Sequence, residues 1–185
     1  MKRAFDLVLA LLLLPFALIG VFLFSVLILF DDGANPLFLQ QRVGQDGKLF
    51  TLFKLRTMRV GSPNVPSHVA SSSQFTRLGR FLRSAKIDEL PQIWNVVTGD
   101  MSFVGPRPCL PSQHELIACR ARLGLSGLRP GITGPAQVKG IDMRDPARLA
   151  EADAVYLGRW SLARDIGYIA ATAIGSGSGD AVKGS

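Results

Sequence analysis

LVLALLLLPFALIGVFLFSVLILF, residues 7–30, runs for 24 positions without a charged residue. At about 1.5 Å per residue a helix of that length covers a ~30 Å hydrocarbon core. Lys2 and Arg3 precede it, and Asp31, Asp32 and Gly33 follow with no small-residue cleavage site. The stretch reads as a retained membrane anchor, not a cleaved leader. Pro15 sits near its middle, directly after Leu14. Proline removes a backbone donor and crowds the preceding turn, so a bend is expected at Leu14 and Pro15. Two readings compete. A kinked helix crosses the bilayer once, or a re-entrant helix, broken at Pro15, leaves by the face it entered. Lys2 and Arg3 before the stretch, and Arg42, Lys48, Lys54, Arg56 and Arg59 after it, all belong in the cytoplasm by the positive-inside rule. One span cannot place both groups there; a hairpin can.

The remainder of the 185 residues is enough for one domain plus a tail. A net charge of +7 attracts anionic lipid, nucleic acid and phosphorylated substrates alike. The anchor points to inner-membrane lipid. No aromatic-interleaved RNA-binding signature or zinc-finger spacing is present, so no nucleic acid is expected as a partner. Cys109 and Cys119 match no metal or redox spacing and read as free thiols in a reducing compartment. His68 and His114 lie in polar surroundings and read as solvated.

The local patterns predict an α+β fold, predominantly helical. Asp46-Gly47 is a hairpin turn signal, predicting a small β-hairpin that pairs residues 38–43 with 48–53. Residues 61–73 are rich in Ser, Pro and Gly and predict a mobile loop. Residues 74–85 predict a basic amphipathic helix, with Arg77, Arg80 and Arg83 on one face and Leu78, Phe81 and Leu82 on the other. Such a helix rests in the headgroup layer or shows a solvated face over the core. Helices are predicted over 90–97, ending at Thr98-Gly99, and over 111–123, 146–156 and 161–174. Residues 129–140 (RPGITGPAQVKG) read as loop. Trp160 and Tyr168 suit a membrane interface or an ordinary core. The Gly/Ser-rich residues 175–185 predict a disordered tail.

The chemistry concentrates in RSAKIDELPQIWNVVTGDMSFVGPRP, residues 83–108. Asp88 and Glu89 stand at a predicted helix start, just before Pro91. Free amides and the helix dipole there favour an ionised carboxylate and a neighbouring phosphate. An ionised aspartate can attack phosphorus, or share Mg²⁺ with substrate phosphates. The plainer reading is a helix cap. Arg107, stiffened between Pro106 and Pro108, can grip a phosphate through two parallel hydrogen bonds; otherwise it is a surface arginine in a turn. The phosphate loop of nucleotide hydrolases, the dinucleotide fingerprint and zinc-protease spacings are all absent.

KLRTM (54–58), IDELPQIWNVVTGDMSFVGPRP (87–108) and RPGITGPAQVKG (129–140) together closely resemble the bacterial sugar transferase family, the monotopic phosphoglycosyl transferases. The resemblance runs from Lys2 to about Thr172. It implies transfer of a sugar 1-phosphate from a UDP-sugar to a polyprenol phosphate, usually undecaprenyl phosphate, with release of UMP at the cytoplasmic face of the inner membrane. It implies a ping-pong reaction in which Asp88 is the nucleophile, Glu89 completes the dyad and Mg²⁺ is the cofactor at both. Arg83, Arg107 and Arg129 match basic positions that contact phosphate, and Lys54 and Arg56 fall in the basic KLRTM string. The family's re-entrant helix breaks at a Ser-Pro pair. The division expected is 1–32 membrane helix, 33–174 compact cytoplasmic catalytic domain and 175–185 tail.

Three departures stand out. Leu14 replaces the serine before Pro15. The family's Gly-Trp-Ala-Gln-Val-Asn-Gly-Arg reads here Gly134-Pro135-Ala136-Gln137-Val138-Lys139-Gly140-Ile141, which signals a different sugar or altered nucleotide contacts. A multi-span extension of larger relatives is missing, so a minimal catalytic form is expected. The rival expectation is an anchored, non-catalytic scaffold that holds anionic lipid. No stretch names the sugar, and a homodimer is left open.

Overall fold

The structure, a computed structural model, describes residues 1–62, 72–158 and 160–175. Most of the expected 61–73 loop, His68 and tail residues 176–185 lie outside the described residues.

Helix α1 spans Lys2–Asp32 and is continuous, with Pro15 inside it. The expected break at Leu14 and Pro15 is therefore not an interruption of the helix. A proline deletes one donor, and the turns on either side carry on where neighbours support them; Leu14 packs against the main core. Gly33, at φ 63°, stops α1 by returning its N–H to Leu29 O. Asp6, Ala10, Ala17 and Ile28 form the buried stripe of α1, while Leu12, Phe16, Ile19, Phe22 and Phe30 are exposed on its other sides. Alanine at 10 and 17 lets a second helix approach. An apolar helix so sparsely covered has a face made for lipid, and α1 is long and apolar enough to cross a membrane.

Strands β1 (Leu37–Val43) and β2 (Leu49–Leu55) pair antiparallel, Phe38 opposite Lys54 and Val43 opposite Leu49. The expected hairpin is present, with β2 starting and ending later than expected. Asp46 (φ 55°) and Gly47 (φ 75°) make its left-handed turn, as Asp-Gly should. The outer edge of β2 is met by a side chain instead of a strand. Asn95, fully buried, accepts from Phe53 N (3.1 Å) and donates to Thr51 O (2.8 Å).

Helix α2 (Arg77–Ser84) is shorter than expected; Thr76 caps it by accepting from Gly79 N at 2.8 Å. Leu82 is buried as expected, but Phe81 is exposed beside Arg77 and Arg80. Helix α3 (Gln92–Thr98) ends on left-handed Gly99 and lies along α1. The main core joins Ala10 and Ala17 of α1, Phe50 and Leu52 of β2, and Ile93 and Val96 of α3.

Residues 129–140 correct the sequence reading. They contain strand β4 (Gly131–Thr133), which pairs in parallel with β3 (Ser102–Val104), and the short helix α5 (Pro135–Val138). A three-residue strand is too short for an alternation to be read. Gly105 and Gly131 meet back to back: a Cβ on Gly131 would lie 2.1 Å from Gly105 N. Helices α4 (His114–Arg122) and α6 (Pro146–Ala154) pack with α5 around Cys109, Leu116 and Leu149. Both cysteines are free and buried.

Helix α7 (Leu162–Ala173) ties the C-terminal side to the start of α1. Lys2 Nζ bridges Asp6 Oδ1 (3.1 Å) and Asp165 Oδ2. Asp165 also accepts from Tyr156 Oη (2.6 Å) and Trp160 Nε1 (2.9 Å), and Asp6 accepts from Ser102 Oγ (3.1 Å). Trp160 is thus a packed anchor beside Phe5, and Tyr168 meets the edge of Tyr156. At the other end of α1, Ile28 packs with Leu55 and Leu82.

Candidate active site

Lys86, at φ 56°, turns the chain out of α2 into a 3-10 turn, Ile87–Glu89. That turn consumes backbone donors: Glu89 N reaches Lys86 O (3.3 Å) and Leu90 N reaches Ile87 O (3.1 Å). The dyad therefore does not stand on the free amides of a helix start, as the sequence suggested. Side-chain cations surround it instead. Glu89 Oε1 accepts from Arg107 Nη2 at 2.8 Å and from Lys54 Nζ at 3.3 Å. Asp88, buried to 4% exposure, lines a cleft.

Five basic residues line the same cleft: Arg42, Lys54, Arg56, Arg59 and Arg83. Strand pairing explains part of this. Phe38, Gln40 and Arg42 alternate onto one face of β1, and Phe38 faces Lys54 across the ladder. Arg83 turns in from the end of α2, its guanidinium 4.9 Å from the centre of the Phe75 ring. Arg56 sits nearer the rim, where its Nε donates to Asn35 O at 2.7 Å.

Burial pushes the Asp88 carboxyl up to about 6, against the pull of Lys54, Arg83 and Arg107 and with a push from Glu89. Burial also lowers the Lys54 ammonium, though Glu89 and Asp88 hold it up. Asp88 is consequently ionised for most of its time at neutral pH. It is also poorly solvated, which suits a nucleophile.

The structure brings together Asp88, Glu89, Lys54, Arg83 and Arg107, and places Arg56 on the cleft wall. Arg129 Nε donates to Gly99 O (3.0 Å), at the C-terminal end of α3, and Arg129 is not among the residues lining the cleft. The altered stretch 134–141 forms α5 and its exit, where Ala136 N donates to Asp153 Oδ1 at 3.4 Å. None of its residues lines the cleft among the described residues. Gln40 escaped the sequence reading, and Arg42 and Arg59 were read only for topology. The missed signal was the two-residue period that puts 38, 40 and 42 on one face.

For Mg²⁺, the donor set is two adjacent carboxylates, one of them already engaged by two cations. Among the described residues no cluster of three or more His, Cys, Asp or Glu side chains forms. Mg²⁺ typically takes one or two carboxylates and completes its shell with water and substrate phosphate. The residues fit that mode, with phosphate as a partner.

So many cations converging on one buried carboxylate suit a substrate that brings several phosphate charges. The profile of the family described as bacterial sugar transferase matches residues 1–176, and the chain belongs to that family. It is 40% identical over 177 residues to the UDP-glucose:undecaprenyl-phosphate glucose-1-phosphate transferase of Caulobacter vibrioides, covering 89% of this chain and 65% of that one. It is 37% identical to the UDP-galactose-lipid carrier transferase of Erwinia amylovora, covering 90% of this chain and 38% of the relative. Against the undecaprenyl-phosphate galactose phosphotransferase of Salmonella typhimurium identity is 32%, covering 94% and 40%. The chain thus spans between about two fifths and two thirds of the length of these relatives.

Proposed function

We propose that this protein is a phosphoglycosyl transferase, moving a sugar 1-phosphate from a UDP-sugar to a polyprenol phosphate, undecaprenyl phosphate in bacteria. The observation that carries the reading is Asp88, buried in a cleft lined by five cations, beside a Glu89 held by Lys54 and Arg107. The names of the relatives support the substrate classes.

In the first half-reaction an Asp88 carboxylate oxygen attacks the sugar-bearing phosphorus. The bond from that phosphorus to the anhydride oxygen breaks, and UMP leaves with the electron pair. In the second, a phosphate oxygen of the polyprenol attacks the same phosphorus and returns Asp88 as a carboxylate. The product opens the assembly of a membrane-bound glycan. Lys54, Arg83 and Arg107 neutralise phosphate charge in both halves, where positioning and electrostatics carry most of the acceleration. Glu89 keeps Lys54 and Arg107 beside Asp88. Asp88 and Glu89 would hold Mg²⁺, which when bound adds charge neutralisation at the phosphate oxygens.

The membrane reading follows from how α1 is held. Lys2 bonds to Asp165 near one end of α1, and Ile28 packs on Leu55 and Leu82 near the other. These contacts are about 40 Å apart along an ideal helix, yet both are made with the remainder of the chain. A helix crossing to the far side of a bilayer could not keep both. This supports a re-entrant arrangement, with the domain on the cytoplasmic face of the inner membrane.

The test is UMP release by the full chain in nanodiscs, across a panel of UDP-sugars, with and without undecaprenyl phosphate. One sugar giving UMP and labelled lipid is the expected result. Silence across the panel, with vesicle binding intact, would replace this reading by an anchored scaffold.

A further inference from the structure

The segment that aims Arg107 cannot hold itself in place. Pro106 and Pro108 have no backbone N–H, so two of three residues lack a donor. Their carbonyls are instead gripped from three directions. Pro106 O accepts from Gly131 N (2.9 Å), Arg107 O from Arg120 Nη1 (2.8 Å) and Pro108 O from Arg42 Nη1 (3.1 Å). Arg120 belongs to α4 and lies outside the cleft lining. Its second terminal nitrogen, Nη2, donates to Asp153 Oδ2 at 2.9 Å, and Asp153 of α6 is fully buried. Asp153 Oδ1 in turn accepts from Ala136 N at 3.4 Å. A connected path therefore runs from α5 and α6, through Asp153 and Arg120, to the carbonyl of Arg107, whose guanidinium meets Glu89.

We propose that Arg120 and Asp153 form a positioning pair for Arg107, fixing where its guanidinium stands against Glu89, beside the cleft that would take the nucleotide-sugar. The pair touches no substrate and acts through Arg107. This rests on the cleft being the UDP-sugar site. A guanidinium suits the task because its planar fork reaches a carboxylate and a carbonyl at once in fixed directions. An ammonium at position 120 keeps the charge opposite Asp153 and loses that geometry. Displacing a phosphate-binding arginine by about 1 Å is enough to lose about 100-fold in rate.

The experiment uses the full chain in nanodiscs and measures UDP affinity and steady-state UMP release. Replacing both members, Arg120→Met with Asp153→Leu, leaves no buried charge unpaired. The expected result is about tenfold weaker UDP binding and a kcat lowered at least as much in the folded variant. Repeated in an Arg107→Ala background, the double replacement should change UDP affinity by less than about twofold, because its effect passes through a side chain already gone. Should the double replacement fail to fold, Arg120→Lys takes its place, with a smaller loss expected and the same silence in the Arg107→Ala background. Equal losses in both backgrounds, or wild-type affinity and kcat after either replacement, would overturn the proposal. Failure of the wild-type chain to bind UDP would instead remove the site assignment beneath it.

Discussion

Arg107 Nη2 and Glu89 Oε1 lie 2.8 Å apart, joining the turn between two prolines to the acidic pair after α2. Lys54 Nζ shares the same oxygen at 3.3 Å. Glu89 thus gathers the cations, and Asp88 beside it lines the cleft they serve. On the proposed mechanism the two carboxylates differ in task although they are neighbours in sequence. Asp88→Asn is expected to lower UMP release by about 1,000-fold or more, as loss of a nucleophile does, while Glu89→Gln leaves a measurable remainder. A rapid-quench assay without lipid acceptor checks this. Wild type should release about one UMP per enzyme, and a burst that survives in Asp88→Asn would move the nucleophile elsewhere.

The acid limb of activity should report Asp88. Its carboxyl is raised to about 6 and must be ionised to attack, so the rate falls as pH drops through about 6. Lys54 is the strongest influence holding that value down. Lys54→Met should move the limb to higher pH as well as slow the reaction. Initial rates of UMP release between pH 5 and 9 measure both effects. A limb that stays in place in Lys54→Met would sever the link between the two residues.

The same raised value has a cost in stability. An acid raised from 3.8 to about 6 on folding favours the folded state when protonated, and that advantage is lost as pH rises through about 6. At pH 7.5 the ionised group costs on the order of 2–3 kcal/mol, at about 1.4 kcal/mol per unit. Asp88→Asn is therefore expected to be inactive and more stable, with Tm higher by about 4–10 °C at neutral pH. The gain should shrink towards pH 5, where the wild-type carboxyl is largely protonated. Thermal unfolding at the two pH values decides it.

Asn95 is the structural counterpart. Its amide stands in for a third strand against β2, with bonds to Phe53 N and Thr51 O. Asn95→Leu fills similar space but orphans both backbone groups. A loss of about 2–4 kcal/mol is expected, read as a lower unfolding midpoint and faster amide exchange at Phe53. Unchanged exchange there would mean the edge of β2 is satisfied in some other way.

Topology has its own test. A single cysteine placed ahead of Lys2 should react with a membrane-impermeant maleimide only after the cytoplasmic side is opened. Labelling from the outside of intact cells would reject the re-entrant arrangement of α1.

What the sequence disclosed, and what it withheld, follows a physical line. The apolar run of α1, the Asp46-Gly47 turn and the conjunction of Asp88, Glu89 and Arg107 are local signals, and each is present in the fold. The β3–β4 pairing was hidden because three-residue strands are too short to show a period, and only the close approach of Gly105 and Gly131 makes them fit. Asn95 looked like an ordinary helix residue, since nothing near it in sequence reveals that a strand edge needs an amide. Arg129 kept its place in a motif yet sends its side chain to Gly99. Arg42 was read for its charge alone, although strand alternation puts it in the cleft wall.

Lys2 and Ile28 are gripped by one and the same body. The anchor is consequently not a tether from which a domain hangs, free to turn. On the proposed membrane reading, lateral pressure and bilayer thickness acting on α1 would set the tilt and depth of the cleft itself. If the proposed function holds, lipid composition becomes a variable of the reaction, because it changes how far a polyprenol phosphate must rise from the leaflet to meet Asp88.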